Sequence, residues 1–135
     1  MRNEIIEQIK AKISSAFNGQ ILTYEPDWTS WTSYPVILLL ASSENGTGAL
    51  GGSSKRELKI DIVIVSRSLT TAISETDKYV LEMIDKIEET FKGLILPLER
   101  QVLINIGAIA FDKTYVKSDF YISGASMELN CQFVR

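Results

Sequence analysis

A glycine-rich segment, SENGTGALGGSSK at residues 43–55, has residue types and spacing that could bind a nucleotide. Gly46, Gly48 and Gly51 are spaced G-x-G-x-x-G, which brings backbone N–H groups up to a pyrophosphate when a helix begins at the glycines. The residues that follow, RELKIDIVIV, alternate apolar with charged side chains and predict a β-strand instead. The Gly-Lys-Ser/Thr ending of a phosphate-binding loop is also missing. We therefore expect no nucleotide site and no cofactor.

Few other residues suggest chemistry, because the chain has no histidine and one cysteine, Cys131. This composition excludes Ser-His-Asp and Cys-His catalysis, His-ligated and Cys₄ zinc sites, and an internal disulfide. The carboxylates occur in local groups, at residues 25 and 27, 75 and 77, and 85, 88 and 89. The helical groups fit a helix cap and a solvated helix face. We expect no catalytic and no metal-binding residue, and a protein that is not an enzyme.

The bulk properties predict one soluble domain over residues 1–135, with 45% hydrophobic and 23% charged residues. The net charge is −3 and the pI is near 5.0, without a Lys/Arg block that would bind duplex DNA. The apolar segment at residues 36–41 is far shorter than the roughly 18–20 residues that cross a bilayer. The opening MRNEIIEQIK lacks the apolar core of a secretory signal. We expect a cytosolic protein without a membrane partner.

Two amphipathic helices are predicted from spacings of three and four between apolar residues. The first covers residues 3–17, with Asn3 as its cap. Its buried stripe is Ile6, Ile9, Ile13 and Phe17. The second covers roughly 18 residues, is capped by Ser74 and ends at Gly93. Its buried stripe is Val80, Ile84, Ile87, Phe91 and Leu94.

The remaining segments predict strands. Residues 20–24 form a short strand, and residues 36–41 form one buried on both faces. That strand and the alternating residues 57–64 flank the glycine segment as an antiparallel hairpin. Residues 102–106 and 127–133 alternate as well, placing Cys131 on the buried face, while Gly107 and Gly124 indicate bulges or bends. The predicted fold class is α+β, a largely antiparallel or mixed sheet with two helices packed on one face.

Two segments are candidates for contact with another protein. The loop YEPDWTSWTSYP carries aromatic residues that either close over the core as a lid or anchor a partner. The glycine segment, residues 43–54, has Leu50 as its one strong apolar anchor, so we expect it to be mobile until a neighbour orders it. The candidate interface residues are Trp28, Trp31, Tyr34, Asn45, Gly48, Leu50, Lys55 and Arg56.

The order of these elements resembles the tail terminator, or tail completion, proteins of long-tailed phages and related contractile particles. An opening helix, IIEQIKAKISSAF, leads through the aromatic loop to a buried strand, YPVILLL. A long hairpin ends in IDIVIVSRSL, a helix YVLEMIDKIEETFKGL follows, and a strand ending MELNCQFVR closes the chain. The stretch from VIVSRSL to that helix is most similar to the Mu-like branch of the family. The likeness covers nearly the full length.

The resemblance implies a virion assembly protein, present in the host cytoplasm during assembly and then at the neck end of the tail. It implies a homohexameric ring that caps the tail tube, stops its polymerisation and docks the neck or head connector protein. The tail tube protein is then a partner, and the tail sheath is a further candidate. DNA would only pass through the lumen. The family brings no catalytic residues.

Two alternatives remain open at this stage. A neck adaptor or head-completion protein is also a small ring-former, and the sequence does not separate it from a terminator. A small α+β enzyme or ligand-binding protein is the alternative from another class. That protein would need a polar cleft of titratable groups, for which the chain offers no histidine and no convincing carboxylate pair.

Overall fold

The computed structural model of the chain describes residues 1–28, 30–47, 55–69, 73–116 and 120–134. These residues form two helices and six strands. The helices are α1 (Arg2–Ser14) and α2 (Ile73–Phe91). The strands are β1 (Gln20–Leu22), β2 (Val36–Thr47), β3 (Lys55–Leu69), β4 (Ile95–Pro97), β5 (Gln101–Val116) and β6 (Phe120–Val134).

The strands form one mixed sheet in the order β1-β2-β3-β6-β5-β4. Every neighbouring pair is antiparallel except β1 and β2, which are parallel. Four long strands, β2, β3, β6 and β5, make up the centre, and the short β1 and β4 cover part of each outer edge. The predicted α+β class is confirmed, because both helices pack on this sheet.

The core lies between the two helices and one face of the sheet. In α1, Ile5, Ile9 and Ile13 are buried at successive spacings of four, which is one side of a helix. β3 contributes alternate residues from Leu58 to Ile64, and β6 contributes alternate residues from Ala125 to Phe133. Cys131 lies in this buried set, as its alternation predicts. Burying one face of the sheet fixes which side chains of each strand remain outside.

Both helix starts differ from the sequence-based prediction. α1 begins after Met1 as its N-cap, so Asn3 lies inside the helix and does not cap it. Its buried stripe contains Ile5, while Ile6 is only partly buried, because four-residue steps back from Ile13 reach residue 5. α2 begins at Ile73, so Ser74 lies within its first turn. Gly93 ends this region as predicted, with φ of 65°.

Two strands differ in length and regularity from the prediction. β2 extends through Thr47, so residues 43–47 of the predicted mobile loop are paired with β3. The register of β5 shifts between Ile106 and Ile109, which confirms the bulge predicted at Gly107. The register is unbroken at Gly124, so the prediction of a bulge at this residue is wrong. A Cβ at Gly124 would lie 3.2 Å from the Ile64 carbonyl oxygen, which explains a glycine within a regular strand.

Candidate functional site

The face of the sheet opposite the two helices, called the open face below, carries three of the eight candidate interface residues, Asn45, Lys55 and Tyr34. Because strand side chains alternate, the strand registers assign alternate residues to it. One row of the four long strands runs through Asn45, Glu57, Gln132 and Leu103. These side chains are exposed or half-buried, in contrast to the core face. The open face is therefore the main accessible surface of the sheet.

A groove of about 440 Å³ lies at the end of the open face where the β2–β3 hairpin closes. It brings together three predicted interface residues, Asn45, Lys55 and Arg56. A hydrogen bond links two strands within the groove, because Gln132 Nε2 of β6 donates to Glu57 Oε2 of β3 at 3.1 Å. Its polar groups are amides, one ammonium, one carboxylate and the edge of a guanidinium, spaced along strands instead of converging on one point.

Arg56 is not free to bind a partner through its whole guanidinium. On the helix side of the sheet it donates to Glu44 Oε2 through Nε at 3.0 Å and through Nη2 at 2.5 Å. Arg2 of α1 donates to both oxygens of the same carboxylate, through Nη2 at 2.7 Å and through Nε. These hydrogen bonds lower the pKa of Glu44 to about 2, those of Arg2 contributing most. The cluster fixes the start of α1 on the hairpin.

The centre of the open face carries an ion pair between two strands. Lys59 Nζ lies 3.5 Å from Glu128 Oε1 across β3 and β6. A Cβ at Gly107 would lie 2.8 Å from the same Glu128 oxygen and 3.1 Å from Asn130 Nδ2. The bulge glycine therefore makes room for the two side chains beside it. Asn130 Oδ1 is buried and has no hydrogen-bond partner among the described residues.

The aromatic loop ends on the open face. The Arg67 guanidinium lies over the Tyr34 ring at 4.7 Å and over the Phe120 ring at 4.6 Å. Val36 and Leu38 point to this face by register, yet they are 0% and 1% exposed. We infer that the loop covers this end of β2. Tyr34 thus belongs to an internal stack, which sequence reasoning missed because its partners are distant along the chain.

The two tryptophans lie in the same loop and differ in exposure. Trp28 is 36% exposed, and its Nε1 donates to Glu25 Oε1 at 3.3 Å. Trp31 is half-buried, and its Nε1 donates to the Ser33 carbonyl at 2.8 Å. Each indole therefore has its polar group satisfied locally and part of its ring accessible. Of the other candidates, Lys55 is exposed, while Gly48 and Leu50 lie outside the described residues.

Reactive or metal-binding chemistry has little support in the described part of the chain. The Cys131 thiol is buried, and this burial together with the Glu57 charge raises its pKa to about 12. The described residues hold no group of three or more His, Cys, Asp or Glu side chains placed to bind a metal ion. None of the described helices is long and apolar enough to span a membrane.

Comparison with known proteins gives no family for this chain. No protein-family model matches the chain, and no curated protein matches it in sequence.

Proposed function

We propose that this protein is a structural component of a tail-like particle, a tail terminator. In this role, copies form a ring that caps the tail tube, ends its polymerisation and joins the tail to the head connector. The observation that carries the proposal is the groove at the hairpin end of the open face, with Asn45, Lys55 and Glu57 along its strands. The groove places apolar Leu103, Phe133 and Val134 beside polar side chains, and protein–protein contacts likewise combine an apolar centre with a polar rim.

The charge distribution of the open face supports the same role. Its described charged residues nearly cancel, with a slight acidic excess: Lys55, Lys59 and Arg67 against Glu57, Asp61, Asp112 and Glu128. A cationic lumen would hold DNA by releasing counterions from its phosphates. A nearly balanced face offers no such hold. It therefore suits the wall of a conduit through which DNA passes.

Deleting the gene in a particle-producing host tests the proposal. We expect overlong tails of variable length that fail to join heads, because polymerisation of the tube is no longer stopped. Negative-stain microscopy measures the tail lengths directly. The purified protein added to tail tubes should cap one end. Tails of normal length joined normally to heads would refute the proposal.

One outcome favours the neck adaptor instead. That protein would act after the tail is complete, so its loss would leave normal-length tails without heads. The isolated subunit need not form rings for the terminator role, since a tube end can assemble them by offering several weak contacts at once.

A further inference from the structure

The two outer edges of the central sheet are each free over part of their length. β1 pairs with β2 only at residues 36–38, and no described strand lies beside residues 39–47 on that side. β4 pairs with β5 only at residues 101–103, and no described strand lies beside residues 105–116 on that side. An edge of unpaired N–H and C=O groups is a template for pairing with another chain.

The β5 edge lacks most of the devices that normally block such pairing. Residues 105–116, the free part of this edge, contain no proline or arginine and a single lysine, Lys113, and Phe111 is 53% exposed. The blocking features that are present are the bulge between Ile106 and Ile109 and the adjacent opposite charges of Asp112 and Lys113. On the β2 edge the one charge in residues 39–47 is Glu44, which is engaged by Arg2 and Arg56. Both edges are therefore open to pairing.

We propose that copies of this chain join head to tail, the free β2 edge of one copy pairing antiparallel with the free β5 edge of the next. The strands β2, β3, β6 and β5 alternate in direction, so β5 of one copy and β2 of the next are antiparallel when their helices share one face. A twofold β5–β5 pair would leave every β2 edge free. Head-to-tail pairing occupies both edges and can close into a ring.

The short edge strands determine how far one copy is displaced along the strands. Within one copy, Asn45 is level across the sheet with Gln132 of β6, and Asp112 is level with Gly124 of β6. These two positions are eight residues apart along β6. A displacement of eight places Asn45 opposite Asp112 and keeps both on the open face, because eight is even. It sets residues 43–47 against residues 110–114, two ranges that begin just beyond the register shift of β2 between Ala41 and Ser43 and the bulge of β5. It also carries β1 beyond the end of β5.

Cysteine cross-linking tests this register in the full-length protein. In the double variant Asn45→Cys/Asp112→Cys, oxidation or a short bis-thiol reagent should give a ladder of covalent oligomers, because each copy links two neighbours. The native Cys131 is 0% exposed and stays out of the reaction. The matched control is Asn45→Cys/Phe111→Cys, whose second cysteine lies one residue away on the opposite face. We expect cross-linking at least ~10-fold faster than in this control.

Three results would overturn the pairing: no ladder from the folded double variant either alone or with tail tubes present, equal cross-linking of the control, or efficient dimers from Asp112→Cys alone. Folding of each variant is checked by circular dichroism. The inference deepens the proposed ring, and the two fail separately. Rings seen by microscopy without the ladder would refute the pairing and keep the proposed function. If the double variant gives the ladder but deletion of the gene leaves tails normal, the pairing stands and the proposed function is refuted.

Discussion

Replacing Glu44 by glutamine should destabilise the fold in a pH-dependent way. The carboxylate holds Arg2 of α1 and Arg56 of β3 together, and its pKa is lowered from 4.5 to about 2, Arg2 contributing most. A shift of that size means that the ionised carboxylate contributes at most about 3.4 kcal/mol to the free energy of unfolding. The Arg2 side chain is 53% exposed and that of Arg56 26% exposed, so solvent screens much of this interaction. We expect a loss of ~1–2 kcal/mol near neutral pH.

The pH dependence follows from the direction of the shift. Because the folded-state pKa of Glu44 is lower than its unfolded value, the ionised carboxylate stabilises the fold fully above pH 4.5 and loses this effect as pH falls through about 2. Urea unfolding of wild type and Glu44→Gln, followed by tryptophan fluorescence, measures both free energies across that range. The difference between the two proteins should shrink steadily toward low pH.

The Lys78–Glu82 pair on α2 supplies the matched control. Its atoms are 3.9 Å apart, and its side chains are 77% and 60% exposed. Glu82→Gln should therefore change the free energy of unfolding by less than ~0.5 kcal/mol at any pH. The reasoning about Glu44 is refuted if Glu44→Gln is as mild as this control near neutral pH. It is also refuted if its cost is the same near pH 2.

Three further predictions concern the aromatic loop, the thiol and the glycine segment. The double variant Trp28→Ala/Trp31→Ala should stay folded by circular dichroism but lose ring formation or tube capping, since a buried interface tryptophan contributes more than ~2 kcal/mol; unfolding would assign the loop to the core instead. Cys131 should react with a thiol reagent only as fast as the protein unfolds, and rapid labelling of the native state would contradict its burial. Calorimetry should detect no ATP or NAD binding, because β3 and not a helix follows the glycines, and micromolar affinity lost on Gly48→Ala would disprove this.

The parts of the fold that the sequence predicts are those with one buried face. The alternation in β3 and β6 matches the buried set, because a side chain of the wrong type on that face would be costly. Four of the five residues predicted for the stripe of α2 are buried, and the fifth, Leu94, is partly buried beyond the end of the helix. The end of β2 has no such pattern, since residues 43–47 are polar or glycine. Their strand conformation comes from pairing with β3 across the hairpin. Such pairing depends on residues of another strand, so the sequence of residues 43–47 alone does not predict it.

The candidate site is predictable to a similar extent. The sequence predicts Asn45 and Lys55 as interface residues of one glycine-rich segment, and the hairpin register places both at the same groove. The Tyr34–Arg67–Phe120 stack could not be predicted, because its members come from three separate segments that only the sheet brings together. The engagement of Arg56 by Glu44 was missed for the same reason.

The free edges show most clearly why local patterns cannot reveal an assembly surface. The β5 sequence predicts a strand whether it lies in the middle of a sheet or at its edge, since alternation reports only which face is buried. Its position at an edge follows from the strand order, in which β4 covers only its first residues. A long edge with only two charged residues, Asp112 and Lys113, and an exposed Phe111 is costly for an isolated subunit, because it invites unwanted pairing. The same edge is useful to a subunit that must join its own copies. The surface that is least suited to a monomer is therefore the one through which we propose that copies of this chain join.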